Sequence, residues 1–298
     1  MTVVPVLEVG GSHVTSALVD PATWTTVEGS RLRAPLDPLG GRDELLEGLA
    51  EAAGRLGPFA AGGALCVAVP GPFDHRAGIA WLRGNGKFDS LYGVDVRAAL
   101  ASRLGLPGRR IVFVHDGAAF AAGEWLARLP HPRRLVGITL GTGVGSSFLD
   151  HGRPVTGGDL VPEQGRVDLL TVRGRQLEDA VSTRAMVAAY GGARGVAEIA
   201  AAAREGDGSA VAVVDAAMTD LGGSLAPWLV RFAADVVVVG GSWTRSWDVF
   251  EPPLHRALAA YEVRTPVVVS ADVEAAAEAG TAWLGLAALP NARSATPG

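Results

Sequence analysis

The chain contains one pattern twice: a strand-like segment, a glycine-rich turn and a second strand-like segment. The copies span residues 3–20 and 135–149, with turns at residues 10–12 (GGS) and 141–143 (GTG). β-Branched and apolar residues on both sides of a tight glycine turn are typical of a β-hairpin. Because glycine permits such turns and leaves main-chain N–H groups accessible, each turn can hold a phosphate. Two such hairpins facing each other would clamp a polyphosphate, so the repeat predicts a two-lobed nucleotide site.

Length and composition narrow the class of protein. The 298 residues suit one large or two medium α/β domains, and 48% of them are hydrophobic. No apolar run approaches the ~20 residues of a membrane helix, and the N-terminus lacks the pattern of a signal peptide. The net charge of −5, without basic clusters, argues against a nucleic-acid partner. We therefore expect a cytoplasmic protein with no membrane partner.

The single cysteine limits the metal chemistry that the chain can support. Cys66 lies in the strand-like segment 64–69, so we interpret it as a small buried apolar residue. One cysteine excludes an intramolecular disulfide and any multi-cysteine metal cluster.

Apolar strands alternate with helical segments along the chain. Continuous apolar runs at 64–69, 111–114 and 236–239 predict buried strands, and helices dominate residues 176–233. This alternation indicates an α/β fold with a mostly parallel sheet. No low-complexity linker divides the halves, so the boundary between them should be a hinge near 115–135.

Two acids are candidates for chemistry because each lies at the end of a predicted strand. Glu8 stands beside the first glycine turn, either facing a metal–phosphate group or as a surface residue of an ordinary turn. Asp116 follows the strand that ends at His115, and ligands of open α/β sheets bind at that edge. Its alternative role is to cap the helix that starts near Gly117. In the functional reading, its carboxylate accepts the proton of a sugar hydroxyl that attacks a γ-phosphorus.

The second glycine turn does not fit the two common nucleotide motifs. A dinucleotide fingerprint needs a helix after the glycines, whereas residues 146–149 continue as a strand. A Walker loop needs Gly-Lys followed by Ser or Thr, and the chain contains no such sequence.

Seven segments resemble, in order, the motifs of the ROK family (repressor, open reading frame, kinase), sugar kinases of the actin/hexokinase ATPase superfamily. Residues 8–12 are similar to the first phosphate motif, Asp-x-Gly-Gly-Thr, and residues 140–145 to the second. Residues 115–124 resemble Asn-Asp-x-x-x-x-Ala-x-Gly-Glu, which contains the family's catalytic base. The four remaining segments are similar to further motifs of the family: residues 69–72 to the Pro-Gly turn by the sugar, 163–166 to Glu-x-Gly-His, 177–178 to Leu-Glu and 239–241 to the adenosine motif.

The resemblance implies a two-domain actin-like ATPase fold, of the ribonuclease H-like type. The expected lobes are 1–116, with a C-terminal helix within 273–298 packing back on it, and 117–272. The implied activity is ATP-dependent phosphorylation of a hexose, most simply glucose at the 6-hydroxyl, with Mg²⁺ bridging the β- and γ-phosphates. The family also implies a homodimer.

The resemblance also assigns roles to individual residues. Asp116 is the catalytic base. The implied sugar contacts are Gly71, Asn85, His115, Asp116, Glu163, Arg166 and Glu178. The implied contacts to ATP are Glu8 (which would hold Mg²⁺ through water), Gly10, Gly11, Ser12, Gly141, Thr142, Gly143, Gly240 and Gly241. Asn85 has a second interpretation, because Asn-Gly is a common turn sequence.

Three departures from the family pattern bear on function. Glu8 replaces Asp, His115 replaces Asn, and Arg166 replaces a His that often joins three cysteines in a zinc site. Arg cannot bind zinc and no cysteine lies between 150 and 190, so we expect no zinc; the planar donors of Arg166 could bind sugar hydroxyls or a neighbouring carboxylate.

Other functions stay open at this point. The three departures together suggest a protein that binds sugar or nucleotide without catalysis. The presence of Asp116 and of both glycine hairpins argues against that function. A sugar-responsive repressor would need a helix-turn-helix domain before the first phosphate motif, and we do not expect one. The sugar itself is not defined, since glucose, mannose, fructose and N-acetylated hexosamines use similar scaffolds.

Overall fold

The computed structural model describes residues 3–57, 59, 63–84, 87–192 and 194–289. These residues form two compact units. The first unit takes the described residues up to Ala127 and those from Glu274 onward, and the second takes Arg128–Val273. The helix that begins at Asp116 groups with the first unit, so this division falls later than the boundary drawn at 116 from the sequence. The two functional lobes stay a prediction.

The first unit is built on a mixed sheet with helices against it. Its strands are β1 Val4–Val9, β2 His13–Asp20, β3 Thr25–Thr26, β4 Leu32–Pro35, β5 Leu65–Val69, β6 Phe73–Asp74, β7 Ile79–Ala80 and β8 Ile111–His115. The order in the main sheet is β3-β2-β1-β5-β8, with β4 also paired to β2. Strands β1, β5 and β8 are parallel neighbours, whereas β1 and β2 form an antiparallel hairpin. The helices are α1 Arg42–Gly54, α2 Val96–Leu104, α3 Asp116–Leu126 and α9 Val273–Ala287.

The core of this unit follows from its apolar spacing. In α1, Leu45, Leu46 and Leu49 recur at helical spacing and are each at most 3% exposed. Strand β5 is buried along its whole length, as the continuous apolar run predicts. Its Cys66 is fully buried, and burial raises the pKa of the thiol to about 12, which confirms the interpretation as an apolar core residue.

Helices α3 and α9 of the first unit pack with their backbones close together. A Cβ on Gly123 would collide with the carbonyl oxygen of Ala276, and one on Gly280 with that of Ala119. Only glycine fits at both positions, so Gly123 of the Ala-x-Gly-Glu motif is a packing residue.

The second unit has its own sheet, ordered β11-β10-β9-β14-β15. Its strands are β9 Arg134–Leu140, β10 Val144–Asp150, β11 Arg153–Pro154, β12 Thr171–Val172, β13 Arg175–Gln176, β14 Val236–Gly240 and β15 Val267–Val269. Its helices are α4 Glu178–Val181, α5 Thr183–Tyr190, α6 Val196–Arg204, α7 Gly208–Phe232 and α8 Trp247–Ala259. Strand β14 is parallel to β9 and β15, and its Val237 and Val239 belong to the core of this unit. Among the described residues, no helix combines the length and the apolar character that crossing a membrane requires.

Candidate functional site

The first glycine turn closes the β1–β2 hairpin, as predicted. Val9 pairs with Val14, and the N–H of Gly10 donates to the carbonyl of His13 at 2.9 Å. The His13 ring lies against Gly10, where a Cβ would come within 2.8 Å of its Nε2 atom. The turn is therefore tight, and a side chain at residue 10 would disturb it.

Four predicted site residues come together at one edge of the first unit's sheet. The register pairs Glu8 with Ala68 and Val69 with His115. Because β1, β5 and β8 are parallel, the segments that contain Glu8, Gly71 and Asp116 all lie at their carboxyl ends, where open α/β sheets bind ligands. A Cβ on Gly71 would lie 3.9 Å from His115 Nε2, which shows how close these segments approach.

Asp116 is accessible and is the first residue of α3, so the expectation that it caps a helix starting at Gly117 is wrong: the N-cap position is His115. Its Oδ1 atom accepts a hydrogen bond from the N–H of Gly117 at 2.7 Å and lies 3.4 Å from Nδ1 of His115. The side chains of His115 and Asp116 are 37% and 44% exposed. The carboxylate thus combines the helix-start role with an exposure that permits contact with a ligand.

A second histidine at this edge was missed by the sequence analysis. The His75 ring lies 5.7 Å from that of His115 between centroids, and its Nε2 is 3.3 Å from the carbonyl oxygen of Val69. Burial lowers the pKa of His75, so its neutral form is favoured. No pattern around residue 75 could have revealed this contact, because it depends on the fold of the β6–β7 hairpin.

Glu8 is partly buried among other acids. Burial is the main cause that raises the pKa of Glu8 to about 8. The negative charges of Glu278, Asp116 and Glu274, in decreasing order of effect, add to this increase, and the positive charge of Arg31 opposes it. Arg31 is bound by Glu278, with Nε–Oε1 at 2.6 Å and Nη2–Oε2 at 2.9 Å. A divalent cation beside Glu8 would relieve part of this negative charge. The binding of Mg²⁺ by Glu8 stays a prediction.

The second glycine turn closes the β9–β10 hairpin, which confirms the second half of the repeat. The N–H of Gly141 donates to Gly143 at 3.0 Å, and the carbonyl of Gly141 accepts bonds from the N–H and hydroxyl of Thr183 at 3.0 and 2.7 Å. Thr142 lies between these two glycines. The turn is thereby fixed to the start of α5.

The glycines of the adenosine motif lie beside this second turn. Gly241 has a φ of +90°, and a Cβ there would lie 2.8 Å from the backbone nitrogen of Leu140. The chain after Gly240 can therefore pass the end of β9 only with glycine at 241. Ser242 Oγ is consequently 3.3 Å from the place where a Cβ on Gly141 would lie.

Glu178 lies against the second turn, a position that its assignment as a sugar ligand did not anticipate. Its Oε2 atom accepts the N–H of Val144 at 3.1 Å, and a Cβ on Gly143 would collide with the same oxygen. The contact joins residues 34 positions apart, so only the fold reveals it. Its role toward sugar stays a prediction.

Arg166 is paired with a carboxylate, one of the two roles expected for it. Its guanidinium binds Asp168 in a bidentate manner, at 3.2 and 2.5 Å, and this bond raises the pKa of Arg166. Asp168 is 7% exposed, and its carbonyl accepts the N–H of Glu178 at 3.2 Å. Glu163 is exposed, at the start of the turn that leads to Arg166.

These residues do not fit a zinc site. A closed zinc site takes about four Cys, His or carboxylate ligands. Arg166 stands where the ligand His is expected and occupies Asp168, and no group of three or more potential ligands occurs among the residues that the structure describes. The absence of bound zinc stays a prediction. Asn85, the remaining predicted sugar ligand, lies outside the described residues.

The chain is similar to proteins of one family. It is 27% identical over 297 residues to a glucokinase from Aeropyrum pernix, covering 88% of each chain. It is 26% identical over 223 residues to a glucokinase from Thermotoga maritima, covering 65% of this chain and 68% of that protein. Its fold matches a crystal structure of a ROK family glucokinase from Streptomyces griseus in complex with glucose and AMPPNP, with a TM-score of 0.72, 19% identity, and coverage of 95% and 99%. These matches confirm the actin-like ATPase fold. The model of the ROK family matches residues 5–293, and the chain therefore belongs to the ROK family.

Proposed function

We propose that the protein is a sugar kinase that transfers the γ-phosphoryl group of ATP to a hexose, most simply to the 6-hydroxyl of glucose. One observation carries the proposal: the first glycine turn and Glu8 lie at the carboxyl end of β1, and the exposed carboxylate of Asp116 lies at that of β8, with the parallel strand β5 between them. Phosphoryl transfer needs a phosphate-binding turn, a metal-facing acid and a base near the attacking hydroxyl. The glucokinases to which the chain is similar support this reading.

In this proposal, Asp116 accepts the proton of the sugar hydroxyl as the hydroxyl attacks the γ-phosphorus. The bond from Gly117 uses Oδ1 and orients the carboxylate, while the exposure of the side chain lets a hydroxyl approach it. His115 and Gly71, which lie near it, would contact the sugar. The second unit would contribute Glu163, Arg166 and Glu178, and Asn85 would complete the set.

The phosphates would be bound by main-chain N–H groups of the two turns. The residues assigned to the phosphates are Gly10, Gly11 and Ser12 in the first turn and Gly141, Thr142 and Gly143 in the second. The N–H groups of Gly10 and Gly141 already donate to the carbonyls of His13 and Gly143, so the other four residues would supply the donors. Gly240 and Gly241 would approach the adenosine. Mg²⁺, when bound through water by Glu8, would neutralise charge that develops on the β- and γ-phosphates. The homodimer implied by the family belongs to the proposal as well.

The alternative is a non-catalytic binder of sugar or nucleotide, and Asp116→Asn separates the two functions. Asn has nearly the same shape as Asp and its amide oxygen can still accept the N–H of Gly117, so the melting temperature should change little. Loss of the base should lower kcat by about 10²-fold or more, while sugar binding partly survives. The measurements are a thermal melt and a coupled assay of ADP release over a panel of glucose, mannose, fructose and N-acetylated hexosamines.

Asp95→Asn is the matched control, because Asp95 is an exposed acid at the start of α2 whose Oδ1 accepts the N–H of Ala98 at 2.8 Å. It should retain full activity. If Asp116→Asn turns over at the wild-type rate, Asp116 serves only to start the helix and the mechanism is wrong. If the wild-type protein binds ATP and sugar but phosphorylates no hexose of the panel, the protein is the non-catalytic binder.

A further inference from the structure

The side chain that lies over the first glycine turn is the only lysine of the chain. Of 26 Lys and Arg residues, only Lys87 is a lysine. A Cβ built on Gly11 would lie 2.7 Å from Nζ of Lys87 and 3.8 Å from its Cδ. The ammonium group therefore occupies the space that the missing side chain of Gly11 leaves open. It therefore lies against the turn to which phosphate binding is assigned.

The position of Lys87 is fixed by its neighbours. Phe88 is 3% exposed in the core of the first unit, and its N–H donates to the carbonyl of Pro38 at 2.6 Å. Two residues before Pro38, the N–H of Leu36 donates to the carbonyl of Ser12 at 3.0 Å. The segment 36–38 thus ties both the glycine turn and the backbone next to Lys87 to the same part of the core.

In the described part of the first unit, the ammonium group of Lys87 has no acidic partner. Arg31 and Arg33, also in the first unit, bind Glu278 and Glu274 on α9. Lys87, in contrast, takes part in no ion pair among the residues that the structure describes. A half-buried ammonium group without an acidic partner, beside a turn rich in N–H donors, attracts an anion.

We propose that Lys87 is a phosphate-binding residue, whose Nζ contacts the phosphates of the phosphoryl donor at the turn formed by Gly10, Gly11 and Ser12. The identity of the donor rests on the proposed function. A neutral sugar would gain little affinity from an ammonium group beside a turn of N–H donors, whereas a polyphosphate would be bound by both. A lysine suits this position because its ammonium is a compact point charge that can follow the phosphate oxygens.

Selective labelling of the only lysine tests the contact directly. The aldehyde of pyridoxal 5′-phosphate condenses with the Nζ amine and releases water, and borohydride then reduces the imine to a stable secondary amine. The α-amino group of the chain is the other aliphatic amine, and peptide mass spectrometry separates the two sites. Mg·ATP, or inorganic tripolyphosphate alone, at ten times its dissociation constant should slow labelling of Lys87 about tenfold. Glucose alone should leave the labelling rate unchanged.

Variants then measure what the charge contributes. Lys87→Gln should raise the dissociation constant and the KM of Mg·ATP about tenfold or more, because a charge-assisted hydrogen bond is lost. The KM of the hexose should stay within about twofold, and Lys87→Arg should restore most of the affinity for ATP. Arg194→Gln is the control: it removes one positive charge at a side chain that is 92% exposed, and it should change neither constant. Thermal melts of all variants exclude misfolding.

The outcomes separate this inference from the kinase assignment. Labelling that neither ATP nor tripolyphosphate slows, or a Lys87→Gln variant with wild-type affinity for ATP, overturns the role of Lys87 even if the protein is a kinase. A protein that phosphorylates no hexose, but whose Lys87 is protected by ATP and tripolyphosphate, supports Lys87 as a phosphate-binding residue and refutes the kinase.

Discussion

Glu8 should make the metal-free protein less stable as the pH rises. Its pKa is about 8 in the folded protein, against an ordinary value of 4.5. Between these values the folded state holds a proton that the unfolded chain has released, so each pH unit in this window disfavours folding by up to about 1.4 kcal/mol. The full difference would be about 5 kcal/mol, and because Glu8 is only partly buried we expect about 2–4 kcal/mol. The stabilisation is complete below pH 4.5, is lost progressively as the pH rises from 4.5 to 8, and is gone above pH 8.

The perturbation is Glu8→Gln, which keeps the shape of the side chain and removes its titration. At pH 5 the variant and the wild type should have similar free energies of unfolding. At pH 9 the variant should be more stable by about 2–4 kcal/mol. The assay is urea denaturation with EDTA at pH values from 5 to 9. Glu51→Gln, at an exposed position of α1, is the control and should shift stability equally at every pH.

Activity should respond in the opposite direction to stability. Glu8→Gln should lower kcat strongly while the sugar affinity stays nearly unchanged, because the acid that faces Mg²⁺ is lost. Glu8→Asp should be tolerated or beneficial, since it restores the family's usual acid. Stability curves of Glu8→Gln and wild type that run parallel across the pH range would refute the electrostatic reasoning. Activity and Mg²⁺ dependence that are indifferent to the substitution would show that Glu8 only forms part of the turn.

Two further predictions concern the metal content and the packing of the helices. Elemental analysis after exhaustive dialysis should find no stoichiometric zinc, because Arg166 binds Asp168 where a ligand is expected; about one zinc per chain would contradict this. Gly123→Ala should lower the free energy of unfolding by about 3 kcal/mol or more. Its Cβ would collide with the backbone of Ala276, which can move away only if helix α9 shifts. Gly54→Ala, in open space at the end of α1, should instead be neutral or stabilise by about 0.5–1 kcal/mol in the same denaturation experiment.

The sequence predicts the elements of this fold well because their signals are local. Both glycine hairpins are recognised from alternating β-formers around a tight turn, and the buried strands from short apolar runs. The meeting of Glu8 and Asp116 is also predictable, since each lies at the carboxyl end of a strand and the ends of parallel strands share an edge. In this case the position of each acid at a strand end and the parallel arrangement of the strands are enough to bring Glu8 and Asp116 to the same edge of the sheet.

The contacts that escaped prediction join segments through side chains. Glu178 reaches the second turn across a separation of 34 residues, and Lys87 reaches Gly11 from a segment far along the chain. Neither position has a periodic signal, because one side chain touching one backbone position leaves no pattern in the sequence. The pairing of Arg166 with Asp168 had a nearer signal, an acid two residues away, but spacing alone does not decide whether Arg binds that acid or a ligand.

The two glycine turns look equivalent in the sequence but differ in charge. An ammonium group lies over the first turn, at Gly11, and a carboxylate lies against the second, at Gly143. Each turn already uses one N–H internally, that of Gly10 in the first and that of Gly141 in the second. In the second turn the N–H of Val144 also donates to the carboxylate of Glu178, so an incoming phosphate meets a negative charge there. In the first turn the charge of Lys87 adds to that of the N–H groups. If both turns bind the same polyphosphate, the first must therefore contribute more to its affinity, because the second must first overcome the repulsion from Glu178.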